Sequence, residues 1–147
     1  MSFDISPTAI AWCQQRFPGS TINYVVADLL AIHSQWYQAF DFVFECRNIQ
    51  ALPLNVRSWV ISSVTSVLAP GGMLLMITRV RDTEAEPSVT PWPLSNSELA
   101  PFKDLGLYQV EELVFLESGQ IDVKQVRIEY RDFEFNIIIN LSFLIPN

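Results

Sequence analysis

LAPGGMLLMIT, residues 68 to 78, is the stretch that decides the fold of this chain. It predicts the end of a helix, a sharp turn and then a buried strand. Pro70 cannot continue a helix, and Gly71 and Gly72 can supply the positive φ that a tight helix-to-strand turn needs. The run Met73–Ile77 is apolar at every position, which is typical of a strand covered on both faces of a parallel sheet. The stretch therefore favours an α/β protein.

Strand-like and helix-like segments alternate before this stretch. Ser6 can cap a helix, and Pro7 suits its first position because that amide has no helical partner. Apolar residues recur at helical spacing between Leu54 and Leu68. The predicted elements are a strand end at Met1–Ile5, a helix to about Phe17 with Ile10, Cys13 and Phe17 on its inner face, a strand at Ile22–Ala27, one or two helical turns within Ala31–Gln38, a strand at Phe40–Cys46 and a helix at Leu54–Leu68.

The part after the stretch predicts a loop, a helix and a hairpin. Arg79–Asn96 is polar and has no clear period, and a loop of this length is typical of a functional lid or of a disordered segment. Ser95 and Glu98 have the spacing of a capping box, so a helix is expected to about Leu105, ending at Gly106. The predicted antiparallel pair is Leu107–Glu117 and Val123–Arg131, joined through Ser118–Gln120. This order predicts an α/β fold with an open parallel sheet and an antiparallel carboxyl-terminal hairpin.

The last residues have an unusual composition. Phe135–Ile145 is apolar, uncharged and strand-prone, which is typical of an aggregation-prone segment unless something covers it. We expect a domain at residues 1–131, followed by a tail at residues 132–147. Two interpretations of the tail stay open, an addition foreign to the fold and a genuine extra strand.

Composition excludes several classes of function. The chain has 147 residues, enough for one domain, and a formal net charge of -7, which argues against binding to nucleic acid or to an anionic membrane. Cys13 and Cys46 do not have metal-site spacing, and buried or tolerated thiols are expected. No signal peptide and no apolar run of about 20 residues is evident, so a cytoplasmic location is expected.

Acidic side chains follow three of the predicted strands. Asp4 ends the first strand, Asp28 ends the second, and Glu45-Cys46-Arg47-Asn48 ends the third. In open α/β sheets, ligands bind beyond the carboxyl ends of the strands. Both aspartates could instead cap helices or form turns, and that alternative stays open. The only histidine, His33, is interpreted as a surface residue in preference to a catalytic base.

Five short motifs resemble class I S-adenosylmethionine-dependent methyltransferases. The resemblance runs from Phe3 to about Arg131, and the set is more specific than any single member. The segment around Trp92 resembles the substrate-side lid of the small-molecule branch near thiopurine methyltransferases. Ordinary packing of a tryptophan between two prolines is an alternative for Trp92 that stays open. The motifs are Phe3–Ile10, Ala27–Leu30, Gln50–Pro53, Leu68–Gly72, and Pro91–Leu94 with Glu98 and Leu99.

The resemblance implies a Rossmann-like fold, S-adenosylmethionine as cofactor, and a small-molecule methyl acceptor. It implies that Asp4 accepts hydrogen bonds from the ribose hydroxyls and Asp28 from the adenine amino group. The implied cofactor-binding residues are Asp4, Ile5, Asp28, Leu29 and Glu45, and the implied substrate-binding residues are Arg47, Asn48 and Trp92.

One part of the family pattern is missing from this sequence. The family begins with a strand and a G-x-G-x-G turn that approaches the methionine part of the cofactor, and none of the five glycines here forms that motif. The missing strand would lie between the strands that end at Asp4 and Glu45. We therefore expect low stability and weak cofactor binding, because each unmet buried backbone group costs about 1–3 kcal/mol.

Three interpretations of function follow. The first is a methyltransferase acting on a small molecule. The second is a non-catalytic remnant, or a half-domain that needs a separately encoded N-terminal segment. The third is a nicotinamide-nucleotide domain, which ranks last because it explains neither Asp28 nor the antiparallel finish.

Overall fold

The computed structural model describes residues 1–88, 90–116 and 123–133. Six strands and three α-helices alternate along these residues, with 3₁₀ turns at Ser34–Trp36, Ile49–Ala51 and Leu54–Val56. The elements are β1 (Ser2–Asp4), α1 (Pro7–Arg16), β2 (Tyr24–Val26), β3 (Phe40–Cys46), α2 (Arg57–Ser66), β4 (Leu68–Arg79), α3 (Asn96–Asp104), β5 (Leu107–Leu116) and β6 (Lys124–Asp132).

The strands form two sheets rather than one. β1 and β2 form a parallel pair, and the other four strands lie in the order β3-β4-β6-β5. β3 and β4 are parallel, whereas β6 is antiparallel to both β4 and β5. The predicted α/β class, parallel strands and antiparallel hairpin are confirmed. Among the described residues no strand of one sheet pairs with a strand of the other, and the sequence predicted a missing strand between those that end at Asp4 and Glu45.

The amino-terminal unit consists of β1, α1 and β2. Ser6 caps α1 by accepting a hydrogen bond from the amide of Ala9, and Pro7 occupies the first helical position, both as predicted. Ile10 is buried, but Phe17 is 51% exposed, so its predicted place on the inner face is wrong. The physical reason is that α1 ends at Arg16, and Phe17 follows as its C-cap with non-helical backbone angles (φ -126°, ψ 60°), so it does not continue the helical face of Ile10.

The Pro-Gly-Gly segment is not a separate turn between a helix and a strand. α2 ends at Ser66, and β4 already begins at Leu68, so Pro70–Gly72 lies inside the strand as an irregularity in its pairing with β3. Gly71 has the expected positive φ, +74°. Gly72 does not, and a Cβ there would lie 2.8 Å from the carbonyl oxygen of Ala69. Close backbone approach therefore explains the second glycine.

The core lies between the four-stranded sheet and helices α2 and α3. Phe102 of α3 is fully buried and stacks on Tyr130 of β6, with 5.0 Å between the ring centroids. The apolar face predicted for α2 also packs in this core. The fully or nearly fully buried members include Ile49, Val60, Ile61, Leu74, Met76, Leu94, Phe102, Leu107 and Ile128.

The second half of the chain matches its sequence pattern closely. Ser95 and Glu98 form a capping box at the start of α3, and Gly106 follows that helix with φ +94°. The predicted hairpin is present as β5 and β6. Its turn at Ser118–Gln120 and the tail segment Phe135–Ile145 lie outside the described residues, so the domain boundary at residue 131 stays a prediction. Among the described residues, none of the helices is both long enough and apolar enough to cross a membrane.

Candidate functional site

Asp4 and Asp28 lie at the carboxyl ends of neighbouring parallel strands. Asp4 is paired in register with Val26, and its carbonyl oxygen accepts a hydrogen bond of 3.0 Å from the amide of Ala27. Asp28 follows one residue later, so both acids leave the same end of the same sheet. The structure therefore brings together the two strand ends that sequence analysis singled out.

Each aspartate also has a local role. One oxygen of Asp4 accepts a 2.7 Å hydrogen bond from the amide of Ser6, and one oxygen of Asp28 accepts a 2.8 Å bond from the amide of Leu30. The alternative that both aspartates form turns is thus correct, and in each residue one carboxylate oxygen does so. The second carboxylate oxygens make no hydrogen bond to a described residue. They are acceptors at a sheet edge where ligands bind in this class of fold.

Glu45 ends β3 and is buried, with 4% of its surface exposed. Its Oε1 accepts hydrogen bonds from the amides of Asn48 and Ile49, at 2.6 and 3.1 Å, which holds the loop after the strand. Its Oε2 is buried without a partner among the described residues. Burial raises the pKa of the Glu45 carboxyl, although the two backbone bonds oppose that rise. Its contact with a cofactor stays a prediction.

Replacing Glu45 by glutamine should change how stability depends on pH. Because the pKa of Glu45 is raised above its ordinary value of 4.5, its carboxyl favours folding below that value, and this contribution is lost as pH rises through the raised pKa. The free energy of unfolding of the wild type minus that of Glu45→Gln should therefore fall with pH across this window. Urea titrations at several pH values measure it.

A second acid provides the control. Hydrogen bonds from Ser95 and Ser97 lower the pKa of Glu84, so its contribution is present above the ordinary pKa and is lost as pH falls. The free energy of unfolding of the wild type minus that of Glu84→Gln should therefore rise with pH. Slopes of the same sign for both variants would contradict the assignment.

The predicted substrate residues are placed on two different elements. Arg47 has φ +65°, and its guanidinium donates a 2.6 Å hydrogen bond to Gln125 of β6. Asn48 is exposed at the start of the turn that follows Glu45. Trp92 lies in the long loop after β4. Its backbone amide donates to the carbonyl of Gln50 at 2.9 Å, so the loop is attached near the end of β3. The structure thus places both elements around one end of the sheet.

A buried charge network that no local sequence pattern predicted supports this loop. The side chain of Arg57 is 3% exposed and forms an ion pair with Glu98, which also pairs with Arg81. Arg57 donates in addition to the carbonyl of Trp92 at 2.7 Å. Burial raises the pKa of Glu98, but the amide of Ser95 and the two arginines outweigh it, and the net pKa is lowered. The capping-box spacing identified Glu98, but no local pattern linked it to Arg57.

The described residues contain no cluster of metal-ligating side chains. His33 is exposed, and its Nδ1 accepts a 3.2 Å hydrogen bond from the amide of Gln35. This capping role agrees with the interpretation of His33 as a surface residue. Cys13 and Cys46 are free thiols.

A family model described as a methyltransferase domain matches residues 1–76. The chain belongs to the methyltransferase domain family. This membership confirms the predicted class of enzyme. The N-methyltransferase NodS, a structural neighbour, has been solved in complex with S-adenosylhomocysteine. No curated protein matches the sequence significantly.

Solved structures of this methyltransferase's fold share little sequence with it. The N-methyltransferase NodS from Bradyrhizobium japonicum WM9 is 19% identical with a TM-score of 0.66, over 90% of this chain and 72% of NodS. A methyltransferase from Methanosarcina mazei is 16% identical with a TM-score of 0.71, over 90% of this chain and 81% of the other. The 1,6-didemethyltoxoflavin-N1-methyltransferase from Burkholderia thailandensis is 13% identical with a TM-score of 0.67. The match covers 90% of this chain and 60% of that enzyme. These matches confirm the Rossmann-like methyltransferase fold.

The residues of this methyltransferase fit one part of S-adenosylmethionine. The ribose hydroxyls and the adenine amino group are donors, and Asp4 and Asp28 each offer a carboxylate oxygen without a partner among the described residues. For the methionine part, the sequence contains no G-x-G-x-G turn. The nucleoside end therefore has suitable acceptors, whereas the methionine end has no such cradle in this chain.

Proposed function

We propose that this methyltransferase transfers a methyl group from S-adenosylmethionine to a small-molecule acceptor. The observation that carries the proposal is the pair of aspartates at the ends of neighbouring parallel strands, in a chain of the methyltransferase domain family. When bound, the cofactor supplies a methyl group already activated by its sulfonium. The protein then needs to position two ligands and exclude water more than it needs acid–base chemistry.

Two residues hold the nucleoside in this proposal. Asp4 accepts from the ribose hydroxyls, and the adjacent Ile5, which is 66% exposed, offers apolar surface to the sugar. Asp28 accepts from the adenine amino group, while the backbone amide of Leu29 meets the ring. Glu45 faces the reacting end of the ligand from the end of β3. Its buried oxygen is an acceptor there.

The acceptor is held by the loop after β3 and by the long loop after β4. Arg47 and Asn48 supply polar contacts, and Trp92 closes the pocket as part of a thiopurine methyltransferase-like lid. Support comes from the attachment of Trp92 to Gln50 and Arg57, which fixes the lid backbone near the end of β3. One solved structure of this fold has 1,6-didemethyltoxoflavin bound, a small molecule of the kind proposed. The acceptor's identity, and the cytoplasmic location, stay predictions.

A second candidate function is a half-domain that becomes active only with a separately encoded N-terminal segment. The observation that favours it is the break between the sheets, since β1 pairs only with β2 and β3 only with β4 among the described residues. A supplied strand would meet both edges and bring the missing methionine cradle.

Calorimetric titration with adenosine and with S-adenosylhomocysteine tests the cofactor site. If only the nucleoside end is held, both ligands should bind weakly and with nearly the same affinity. Asp4→Asn and Asp28→Asn should each weaken adenosine binding at least about tenfold, because each removes a charged acceptor. Asp41→Asn is the matched control, since this exposed acid lies at the opposite end of β3.

Each outcome decides between the candidates. Loss of adenosine binding in the two variants but not in the control supports the proposed site. Equal binding by all variants overturns it. Micromolar binding of S-adenosylhomocysteine with much weaker adenosine binding would show a complete cofactor site in this chain and exclude the half-domain.

A further inference from the structure

The segment Trp92–Leu94 lies in the loop after β4, and we call it the wall. Its backbone amides are bound to two different parts of the fold. The amide of Trp92 donates to the carbonyl of Gln50, in the turn after β3, and the amide of Leu94 donates to the carbonyl of Arg79, at the end of β4, both at 2.9 Å. The proline between them has no amide. Every backbone donor of the wall is therefore bound within the fold.

The carbonyls of the wall are bound by two arginines. Arg57 of α2 donates to the carbonyl of Trp92 at 2.7 Å. Arg81 donates from its backbone amide to the carbonyl of Leu94 at 2.9 Å and from its guanidinium to the carbonyl of Pro93. A hydrogen bond from a charged donor is stronger than one between neutral groups. The acceptors of the wall are thus bound as completely as its donors.

Side-chain burial also fixes the wall. Leu94 is fully buried and belongs to the core between the sheet and the helices, and its backbone forms a bridge with Val80. Segments that open and close have few buried apolar contacts and backbone hydrogen bonds that are exposed to solvent. Moving the wall would break all of its backbone bonds and would expose Leu94 to water. The wall therefore belongs to the rigid part of the fold.

Gln50, which receives the amide of Trp92, is itself held in place. It is buried, and its Oε1 accepts hydrogen bonds from the amide of Arg79 at 2.6 Å and from the hydroxyl of Thr78 at 3.2 Å. The carbonyl that binds Trp92 is thus fixed relative to the end of β4. The turn that contains Gln50 begins directly after Asn48, one of the predicted substrate residues. The wall and the substrate loop after β3 therefore form one unit.

We propose that Gln50 and Arg57 are positioning residues that hold Trp92 in one place, as a fixed side of the acceptor pocket. The identification of that pocket rests on the proposed function, whereas the rigidity of the wall does not. The lid of the proposed function is then permanently closed at this segment. An acceptor meets a preformed surface, so the pocket selects it by shape, and no loop has to be ordered when it binds.

Amide hydrogen exchange on the wild-type chain, measured by NMR without cofactor or acceptor, is the first test. The amides of Trp92 and Leu94 should exchange within about tenfold of those of Leu74 and Met76, which lie in β4 between β3 and β6. Exchange at least about 100-fold faster would show a lid that opens, which overturns the proposal. Because no ligand is used, this result is independent of whether adenosine binds, and the two proposals can fail separately.

Arg57→Lys separates the positioning role from charge pairing. Different nitrogens of Arg57 donate to the carbonyl of Leu52 at 3.3 Å, to Glu98 and to the carbonyl of Trp92. Lysine keeps the positive charge beside Glu98 but lacks the planar fork that reaches all of these acceptors. The variant should therefore accelerate the exchange of Trp92 and Leu94 at least about tenfold relative to the amides of β4.

Val60→Ala is the matched control. Val60 is fully buried on the same helix, α2, and its truncation destabilises the core without removing a hydrogen bond. It should accelerate the exchange of the wall and of β4 by the same factor, because it acts through global unfolding. The same uniform pattern in Arg57→Lys would show that Arg57 has only a structural role, which overturns the proposal.

Fluorescence provides a measurement that a loss of stability alone does not change. In a chain whose single tryptophan is Trp92, the emission of the folded protein should shift to longer wavelength in Arg57→Lys and stay the same in Val60→Ala. An unchanged emission in both variants would contradict the positioning role. The single-tryptophan background carries Trp12→Phe, Trp36→Phe and Trp59→Phe.

A second pair of variants keeps the test decisive if Arg57→Lys fails to fold. Gln50→Leu removes the acceptor for the amide of Arg79, whereas Gln50→Glu keeps an oxygen in that place. The leucine variant should accelerate the exchange of Trp92 relative to the amides of β4, and the glutamate variant should not. The same exchange pattern in the two variants would show that the side chain of Gln50 does not position the wall, which also overturns the proposal.

Discussion

Glu98→Ala should lower the free energy of unfolding by about 3 kcal/mol, because it leaves Arg57 as a buried charge without its acidic partner. The side chain of Arg57 is 3% exposed, so water cannot replace the carboxylate. The substitution also removes the half of the capping box that Glu98 contributes to α3. Equilibrium unfolding in urea measures the change in free energy.

An exposed ion pair provides the control for this prediction. Arg127 and Glu111 lie on β6 and β5 with 33% and 48% of their side chains exposed. Glu111→Ala should therefore cost less than about 1 kcal/mol, because solvent screens the pair. A similar loss in the two variants would show that burial of Arg57 is not what makes Glu98 important.

Gly72→Ala should destabilise the fold by about 1–3 kcal/mol through overpacking. The new methyl group would lie 2.8 Å from the carbonyl oxygen of Ala69 and 3.1 Å from that of Phe40. Both are backbone atoms, and Phe40 begins the strand that pairs with β4, so neither can move without disturbing the sheet. Thermal or urea unfolding reports the loss.

Gly19→Ala is the matched control. A Cβ at Gly19 would have no atom within 4 Å, and its backbone does not have positive φ. Its effect should stay within about 0.5 kcal/mol. If Gly19→Ala were as damaging as Gly72→Ala, close approach at the sheet would not explain the cost of Gly72→Ala.

Local signals in the sequence were sufficient for most elements. Ser6 with Pro7 and the Ser95–Glu98 box mark where two helices begin, because capping involves residues only three apart. The run Phe40–Cys46 has the bounds of β3 itself. The Pro-Gly-Gly segment was misjudged because the same residues serve a turn and a bulge, and only pairing with Phe40 and Phe42 distinguishes them.

Local signals in the sequence also predicted part of the candidate site. Asp4 is the last residue of β1 and Asp28 lies two residues after β2, so their positions at a sheet edge were visible in the chain. The orientation of Glu45 toward the amides of Asn48 and Ile49 could not be predicted from the sequence, because it depends on how the following turn folds back. The roles of these residues toward a cofactor stay predictions.

The sequence by itself determined the order of helices and strands, the acidic strand ends and the absence of a glycine-rich turn, since these depend on neighbours in the chain. Only the tertiary structure decided that Arg57, Glu98 and Arg81 form one network, because those residues are brought together by packing of α2 against α3 and the loop after β4. It alone also showed that, among the described residues, β1 pairs only with β2 and β3 only with β4, because strand pairing joins residues that no local pattern connects.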